Sequence, residues 1–507
     1  MKLKVENVKS FPAHYTLPIF DIPAMVARTK AAPTWLHMGA GNIFRIFVAG
    51  AHQKLLCHGH ADTGIIAYEA FDEEIIPQSF TPYDNLTMGV TLFADGSVNK
   101  RVIASIADAF CNDLSRLCQI IAQPTMQMIS FTITEKGYAV DPARVCATPL
   151  NATTTIEQVT AGLLSRFNAG AKPLALVSMD NFAENGTVLA KGILTVAEVW
   201  EKSAHVPPAF TNYVKSLAYP WTMIDKITPR PSPEVAKLLA EDGFEDTAIT
   251  QTKKDTFVAS FVNAEAAGYL VIEDNFPNGR PPLEKAGVYM TDKETVRKTD
   301  QMKVCACLNP LHTVLGVAGT LLNYPTIAAC MKDAQLVKLI NQAAAEALPT
   351  VANPDIIDPE KFLHEVVTER FPNPFIPDTP ARINCDASQK VPVRFGETLK
   401  ARKTRDLDTT GLEAIPLFVA LWLRYRMGKD DTGASVELSP DPRLPDVFKA
   451  LDDLQFGDKV DLTPMLSDVN TFGVNLYEVG LGEKVEALFY ELSAGPGAVA
   501  RKLAELK

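Results

Sequence analysis

Three short motifs place residues able to carry protons at the ends of apolar stretches or beside tight turns. They are SFTITEKGY at 130–138, VSMDNFAENG at 177–186 and KVCACLNPLH at 303–312. The first two bring Glu135 and Asn181 to the ends of apolar stretches, and the third contains Lys303, Asn309 and His312. A neutral lysine can remove the proton of an alcohol, and amides can stabilise the oxygen that results. The motifs therefore favour acid–base chemistry at a hydroxyl group.

The third motif also has plain structural interpretations. Asn309 precedes Pro310, which suits a first helical position, so Asn309 is predicted to be the N-cap of a helix. A helix start and an amide could together stabilise a developing alkoxide. Lys303 lies among small apolar residues, where burial beside other cations would favour a neutral amine, or it extends from the surface. His312 is a site residue or a hydrogen-bonded core histidine.

A glycine turn after the apolar segment 34–38 indicates a dinucleotide site. The sequence GAGNIFR at 39–45 matches the first two glycines of the GxGxxG pattern and has Phe44 in place of the third. A second apolar segment, 64–69, ends in Glu69, which could bind a ribose diol and favours NAD over NADP. The alternatives are a structural turn and a solvated carboxylate. The predicted cofactor contacts are Gly39, Gly41, Asn42, Ile43, Phe44, Arg45, Glu69 and Asp72.

The elements around these motifs indicate an α/β fold followed by helices. Strands are predicted at 34–38, 64–69, 126–134, 174–179 and 257–262. Helices are predicted at 310–323, 325–347, 358–370, 411–427, 444–454 and 483–506. Strands that alternate with helices are typical of a parallel sheet. We therefore expect a Rossmann-type NAD-binding domain at 1–295 and a mainly helical substrate domain at 296–507.

Composition excludes several other classes of function. The 507 residues carry a net charge of −11, which opposes binding to nucleic acid or to anionic membranes. The eight cysteines show no CxxC spacing, so no metal site is expected, and a reducing, cytoplasmic location is predicted. A small molecule is the expected partner, and the chain is expected to be a monomer or a small homo-oligomer.

Six motifs in order resemble the polyol-specific long-chain dehydrogenase/reductase family, in its mannitol 2-dehydrogenase and mannonate oxidoreductase group. They are TITEKGY at 132–138, DN followed by NG at 180–186, MIDKITP at 223–229, VIEDNFPNGRPPLEKAG at 271–287, LNPLH at 308–312 and NPFIPDTPARI at 373–383. The resemblance implies metal-free, NAD(P)-dependent hydride transfer between a Rossmann domain and a helical domain.

The resemblance also implies roles for particular residues. Lys303 is similar to the family's acid–base lysine, and Asn181 and Asn309 to the pair that binds the reacting oxygen. Glu135 is similar to the carboxylate that passes protons to solvent. The implied substrate contacts are His312, Asp225, Arg382 and Lys390. A methyltransferase is a further alternative for the glycine turn, but in such a protein Lys303, Asn181 and Asn309 would have no role.

One spacing departs from the family. Lys303 precedes Asn309 by six residues, whereas the family pattern has five. One extra residue rotates a side chain by about 100° on a regular helix. A π-type bulge or an irregular turn between the two residues is therefore predicted.

The substrate is expected to be the pair D-mannonate and D-fructuronate. Lys226 and Arg230, beside Asp225, could hold its carboxylate, or both cations could face solvent. The alternatives are a neutral polyol such as mannitol with fructose, and an inactive NAD-binding relative.

Overall fold

The computed structural model describes residues 1–506, which form two compact units. The first consists of Met1–Phe93 and Ser97–Arg297, and the second of Ala94–Gly96 and the chain from Lys298 onward.

The first unit contains the fourteen strands found among residues 1–506. They are β1 (Tyr15–Thr16), β2 (Trp35–Met38), β3 (Ile65–Glu69), β4 (Thr87–Leu92), β5 (Val98–Ile103), β6 (Ile106–Cys111), β7 (Met128–Phe131), β8 (Ala175–Ser178), β9 (Thr222–Asp225), β10 (Ile249–Gln251), β11 (Phe257–Ala259), β12 (Phe261–Glu265), β13 (Tyr269–Glu273) and β14 (Tyr289–Thr291). Four of the five predicted strand segments are confirmed as β2, β3, β7 and β8.

Five of these strands form a parallel sheet in the order β6-β3-β2-β7-β8. Side chains alternate between its faces, so Trp35 joins one apolar cluster and Leu36 the other. Burial on both faces is typical of a doubly wound sheet. The carboxyl ends of β2, β3, β7 and β8 meet at one edge, where such sheets bind ligands.

The other strands form three smaller sheets, in the orders β1-β5-β4-β12, β14-β13-β9 and β10-β11. The segment 257–262, predicted as one strand, is two strands in different sheets, because β11 pairs with β10 and β12 pairs with β4. Ser260 lies between them, and its carbonyl accepts a hydrogen bond from Met88 N at 3.1 Å. The apolar run therefore continues through a change of sheet.

Eight α-helices belong to the first unit: α1 (Ile22–Ala31), α2 (Ala49–Cys57), α3 (Ile75–Ser79), α4 (Leu114–Ala122), α5 (Thr155–Asn168), α6 (Asn185–Lys202), α7 (Pro208–Ser216) and α8 (Pro233–Glu241). Helix α9 (Lys293–Met302) contains the boundary. Short 3-10 helices occur at Val5–Ser10, Thr81–Tyr83, Glu135–Tyr138, Pro149–Asn151 and Leu283–Ala286, and a π-helix at Phe44–Val48.

The second unit is helical. Its α-helices are α10 (Asn309–Leu321), α11 (Ile327–Cys330), α12 (Ala334–Ala347), α13 (Pro359–Glu365), α14 (Pro380–Asn384), α15 (Ala387–Val391), α16 (Glu397–Thr404), α17 (Ala414–Arg426), α18 (Thr463–Leu466), α19 (Val469–Phe472), α20 (Gly482–Leu492) and α21 (Ala498–Ala504). It also contains π-helices at Lys303–Cys307, Val366–Arg370 and Pro392–Gly396, and 3-10 helices at Leu348–Thr350 and Asp446–Leu451. The α-helices α10 and α17 are buried nearly all round and form its core.

One helical stretch, Lys293–Leu321, which comprises α9, the π-helix Lys303–Cys307 and α10, is long and apolar enough to cross a membrane by length and composition. Its most apolar window is 67% buried within the structure. Burial of this extent is the behaviour of a core helix.

Three predicted helices are shorter or interrupted in the structure. The segment 444–454 contains only the 3-10 helix Asp446–Leu451, which follows Pro445 in an extended conformation. The segment 325–347 is divided because Asp333 caps α12 through Gln335 N. The segment 483–506 is broken before Gly497, whose φ of 77° does not continue a helix.

Candidate functional site

The glycine turn follows β2, at the edge where the parallel strands end. Gly39 has a φ of 100°, and a side chain there would collide with the carbonyl oxygen of Thr132. Its N–H donates to the carbonyl of Tyr68 at 2.8 Å, which ties the turn to β3. A β-carbon at Gly41 would have no atom within 4 Å apart from those of Gly41 and its two chain neighbours, so the turn is open on the side that Gly41 faces. The turn therefore fits the close approach of a dinucleotide phosphate.

Phe44, in the position of the third glycine, packs flat against His37 of β2. Their ring centroids are 3.9 Å apart at an interplanar angle of 7°. His37 is fixed by Ser130 Oγ at 2.6 Å and Thr132 Oγ1 at 2.9 Å. Burial lowers the pKa of His37 to about 3, so its ring is neutral near pH 7. Phe44 thus serves in helix–strand packing, in a helix start that is widened by the π-helix Phe44–Val48.

Glu69 secures the glycine turn from β3. One carboxylate oxygen accepts from Ala40 N at 2.8 Å, and the other accepts from Phe71 N at 2.8 Å and Asp72 N at 3.1 Å. A carboxylate has about four acceptor positions, so capacity for a ribose hydroxyl remains. Asp72 accepts from Thr252 Oγ1 at 2.7 Å.

The predicted cofactor contact by the Arg45 side chain is not supported. Its guanidinium is buried and donates to Thr87 Oγ1 and to the carbonyls of Ala259, Ser79 and Ser260. Its backbone N–H donates to the carbonyl of Gly41 at 3.1 Å. Arg45 therefore anchors the helix start to neighbouring strands instead of offering its charge to a phosphate.

The loops that carry Glu135 and Asn181 are joined by Asp180. Its carboxylate accepts from Ile133 N at 2.8 Å, Thr134 N at 3.2 Å and Tyr138 Oη at 2.7 Å. Both Glu135 and Asn181 are exposed in the structure. Asp180, which was not among the predicted site residues, therefore holds the two predicted residues on adjacent strand ends.

Thr134, next to Glu135, has an unusual backbone conformation. Its φ of 63° and ψ of 156° fall in a region that is essentially restricted to glycine and costs about 1–3 kcal/mol. Its hydrogen bond to Asp180 maintains this conformation. Burial raises the pKa of Asp180, against the effect of its three donors.

The two cations predicted to hold a substrate carboxylate have other partners. The ammonium of Lys226 donates to the carbonyls of Glu265, Ala266 and Ala267, at 2.6, 3.2 and 2.8 Å. Arg230 is exposed, and its guanidinium lies 4.8 Å from the centre of the Phe257 ring. The structure thus does not support the carboxylate role predicted for Lys226 and Arg230. Asp225, at the end of β9, is buried.

In the second unit, Lys303 opens a π-helix. The segment Lys303–Cys307 is π-helical, and Leu308 N donates to the carbonyl of Lys303 at 3.1 Å, five residues back. The predicted π-type bulge is therefore confirmed, and it absorbs the extra residue between Lys303 and Asn309. Lys303 is 1% exposed, and its ammonium lies 3.9 Å from Asp300 Oδ1.

The prediction that Asn309 caps the next helix is wrong. Leu308 occupies the N-cap position, with φ −134° and ψ −65°, and Asn309 is the first residue of α10. Because the π turn ends at Cys307, the helix restarts one residue earlier than Pro310 alone indicates.

His312, Asp378 and Arg382 form a hydrogen-bonded chain. His312 Nε2 lies 3.0 Å from Asp378 Oδ2, and Arg382 Nε donates to Asp378 Oδ1 at 2.6 Å. Burial alone would raise the pKa of Asp378, but hydrogen bonding and the positive charges hold it below its usual value. Burial lowers the pKa of His312, and the nearby carboxylate opposes this. Sequence reasoning missed Asp378, although its spacing of four residues from Arg382 was visible in PDTPAR.

Two further cations lie near this chain. Lys390 donates to the carbonyls of Ile383 at 3.1 Å and Cys385 at 2.5 Å. Burial, and then the charge of Arg394, lowers the pKa of Lys390. Arg394 donates to Thr313 Oγ1 and to the carbonyl of Asn309. Four predicted residues of the second unit are therefore connected through Asp378 and Arg394, by hydrogen bonds or by the effect of charge: Asn309, His312, Arg382 and Lys390.

Comparison with known sequences connects both units to one family. Residues 33–285 match the Mannitol dehydrogenase Rossmann domain, and residues 295–491 match the Mannitol dehydrogenase C-terminal domain. The chain belongs to the mannitol dehydrogenase family. The predicted family, the Rossmann-type first domain and the helical second domain are thereby confirmed, and the chain is an oxidoreductase.

Relatives within the family differ in their similarity to this chain. D-mannonate oxidoreductase of Thermotoga maritima is 46% identical, over 100% of this chain and 99% of its own. Polyol:NADP oxidoreductase of Gluconobacter oxydans is 28% identical, over 86% of this chain and 87% of its own. Pseudomonas fluorescens mannitol 2-dehydrogenase, solved as a ternary complex with NAD and D-mannitol, is 25% identical with a TM-score of 0.73, covering 100% and 99% of the two chains.

Proposed function

We propose that this chain is a cytoplasmic, NAD-dependent D-mannonate oxidoreductase that interconverts D-mannonate and D-fructuronate. The observation that carries the proposal is the 46% identity to the Thermotoga maritima enzyme over essentially both full chains. The polyol enzyme of Gluconobacter oxydans is only 28% identical. The higher identity to the D-mannonate enzyme favours a sugar acid over a neutral polyol as the substrate.

The glycine turn and Glu69 would hold the cofactor. The open side of Gly41 leaves room for a pyrophosphate, and Gly39, Asn42 and Ile43 are the other residues of that turn. Glu69 at the end of β3 favours a ribose diol and disfavours a 2′-phosphate, which supports NAD. When bound, the nicotinamide supplies the hydride acceptor or donor. The residues of this chain supply placement and proton transfer.

Lys303 is the proposed general base for oxidation and general acid for reduction. Its side chain is buried with the ammonium 3.9 Å from Asp300 Oδ1, and a lysine amine can accept the proton of a substrate hydroxyl and return it in the reverse reaction. Asn181 and Asn309 would donate hydrogen bonds to the oxygen as it gains charge. The exposed carboxylate of Glu135 would exchange the proton with solvent.

The proposed substrate contacts are His312, Arg382, Lys390 and Asp225. If His312 donates Nε2–H to Asp378, its Nδ1 remains an acceptor for a sugar hydroxyl. Arg382 and Lys390 can donate to hydroxyl or carboxylate oxygens. Asp225 can accept from a hydroxyl group.

A panel assay of purified enzyme tests the proposal. NADH and NADPH oxidation would be followed with D-fructuronate, other ketouronates, D-fructose and ketose phosphates. We expect the highest kcat/KM with D-fructuronate and NADH. A highest value with D-fructose would support mannitol 2-dehydrogenase instead. NADH binding without turnover of any compound would support an inactive relative.

A further inference from the structure

Arg394 lies beside the proposed substrate contacts His312 and Lys390. Its Nη1 donates to the carbonyl of Asn309 at 3.4 Å and to the hydroxyl of Thr313. Its charge acts on both His312 and Lys390. Arg394 thus belongs to the same neighbourhood as three residues implied to contact the substrate and its reacting oxygen.

The local backbone gives Arg394 a fixed position. Arg394 is the third residue of the π-helix Pro392–Gly396, which follows α15. Pro392 has no N–H to donate to a preceding carbonyl, and its own carbonyl accepts from Glu397 N, five residues on. The next residue, Phe395, stacks on Phe418 of the core helix α17 at 4.1 Å. A bulge held by this stacking gives the guanidinium a rigid support.

The guanidinium of Arg394 retains hydrogen-bonding capacity. A guanidinium has five N–H donors, and within residues 1–506 the hydrogen bonds of Arg394 use only Nη1. No ion pair joins it to a carboxylate in that part of the chain, whereas Arg382 is paired with Asp378. Nε and Nη2 lie on one edge of the group, and this edge matches the two oxygens of a carboxylate.

The charges around the site favour an anion. Three cations, Arg382, Lys390 and Arg394, lie in this neighbourhood, with Asp378 and Asp386 as the carboxylates that act on them. The surplus is one positive charge when these five groups are ionised. A neutral polyol would leave that surplus uncompensated.

We propose that Arg394 binds the carboxylate of the substrate through its Nε and Nη2 edge, and so selects sugar acids over neutral ketoses. This inference rests on the proposed function, and it replaces the role that the sequence predicted for Lys226 and Arg230. Neutral substrates lack the anion that would pair with this edge. Arg394 would therefore contribute to kcat/KM for D-fructuronate and little to kcat/KM for D-fructose.

The test compares Arg394→Met and Arg394→Lys with wild type on D-fructuronate and D-fructose. A hydrogen-bonded charge pair contributes roughly 10- to 100-fold, so Arg394→Met should lose that much kcat/KM for D-fructuronate, mainly through KM. Its kcat/KM for D-fructose should stay unchanged or rise. Arg394→Lys keeps the charge without the planar fork, so it should recover part of the loss. Arg443→Met, at an exposed arginine of the same unit, is the matched control.

The outcomes separate this inference from the proposed function. If wild type does not reduce D-fructuronate, the proposed function fails, whatever the variants do. If wild type reduces D-fructuronate, two results overturn the carboxylate role. In one, Arg394→Met loses activity equally on D-fructuronate and D-fructose. In the other, Arg394→Met loses activity on neither substrate. Thermal unfolding and the NADH dissociation constant check that each variant is folded. If Arg394→Met does not fold, Arg394→Lys decides, because an undiminished D-fructuronate preference in that variant would also overturn the role.

Discussion

Asp378 links His312 to Arg382 through hydrogen bonds. Asp378→Asn should break part of this hydrogen-bonded triad while keeping a side chain of the same size at position 378. Asn replaces one carboxylate oxygen by NH₂, which cannot accept from His312 Nε2 or from Arg382 Nε. With His312 as the Nε2–H donor, at least one of the two bonds, at 3.0 and 2.6 Å, is then lost inside the protein. A hydrogen bond to a charged group contributes about 1.5–3 kcal/mol. We therefore expect kcat/KM for D-fructuronate to fall about 10- to 150-fold.

The pH profile gives a second readout of the same variant. The Asp378 carboxylate raises the pKa of His312 against the lowering effect of burial. Removing that carboxylate should lower the pKa of His312 further, so protonation of the ring should begin at lower pH. The acidic limb of kcat/KM should then move to lower pH. A residue with only a folding role would not shift that limb.

The assay is NADH oxidation at saturating NADH with varied D-fructuronate, from about pH 5 to 9, a range that includes ordinary histidine titration. Asp358→Asn is the control, because Asp358 caps α13 through Lys361 N at 2.9 Å and Asn caps a helix equally well. Wild-type kcat/KM together with a wild-type pH profile in Asp378→Asn would refute the reasoning.

Three further predictions concern the base, the strand ends and the glycine turn. Lys303→Ala should lower kcat about 10²- to 10⁴-fold and leave the NADH dissociation constant unchanged. The control Lys332→Ala, at an exposed lysine, should leave kcat unchanged. Undiminished turnover in Lys303→Ala would exclude Lys303 as the base. Asp180→Ala should destabilise the fold and lower kcat, as measured by chemical denaturation and steady-state kinetics, because the half-buried N–H of Ile133 loses its partner. The unfolded state binds a proton at His37 near pH 6.5 and the folded state only at about pH 3, so the free energy of unfolding should fall by about 2–3 kcal/mol from pH 7 to 4.5. His37→Gln should flatten that pH dependence; an equally steep curve in the variant would contradict this assignment.

The residues show what local sequence can and cannot predict. The π turn at Lys303 was predictable, because six residues in place of five must be accommodated by a single turn. The stacking of Phe44 on His37 was not, since it depends on how the helix start meets β2. Likewise, the sequence does not show that the backbone carbonyls at and after the end of β12 accept hydrogen bonds from the ammonium of Lys226, because those residues are about forty positions away.

Partners that are distant in sequence explain the other omissions. Asp180 occurs in the DN motif, but its bonds to the TITEKGY loop require β7 and β8 to be neighbours. Asp378 and His312 lie on separate segments, so only the folded second unit brings them within hydrogen-bonding distance. The family motifs thus indicated the groups implied to contact substrate, whereas the residues that position them depend on tertiary structure.

Transfer of deuterium from labelled NADH tests whether this chain reduces D-fructuronate to D-mannonate by hydride transfer. The enzyme would be incubated with D-fructuronate and NADH carrying deuterium at C4 of the nicotinamide, and the product examined by NMR and mass spectrometry. We expect D-mannonate with one deuterium on the carbon that bore the ketone. Failure to form D-mannonate, or D-mannonate without deuterium from either C4-labelled epimer of NADH, would contradict this expectation.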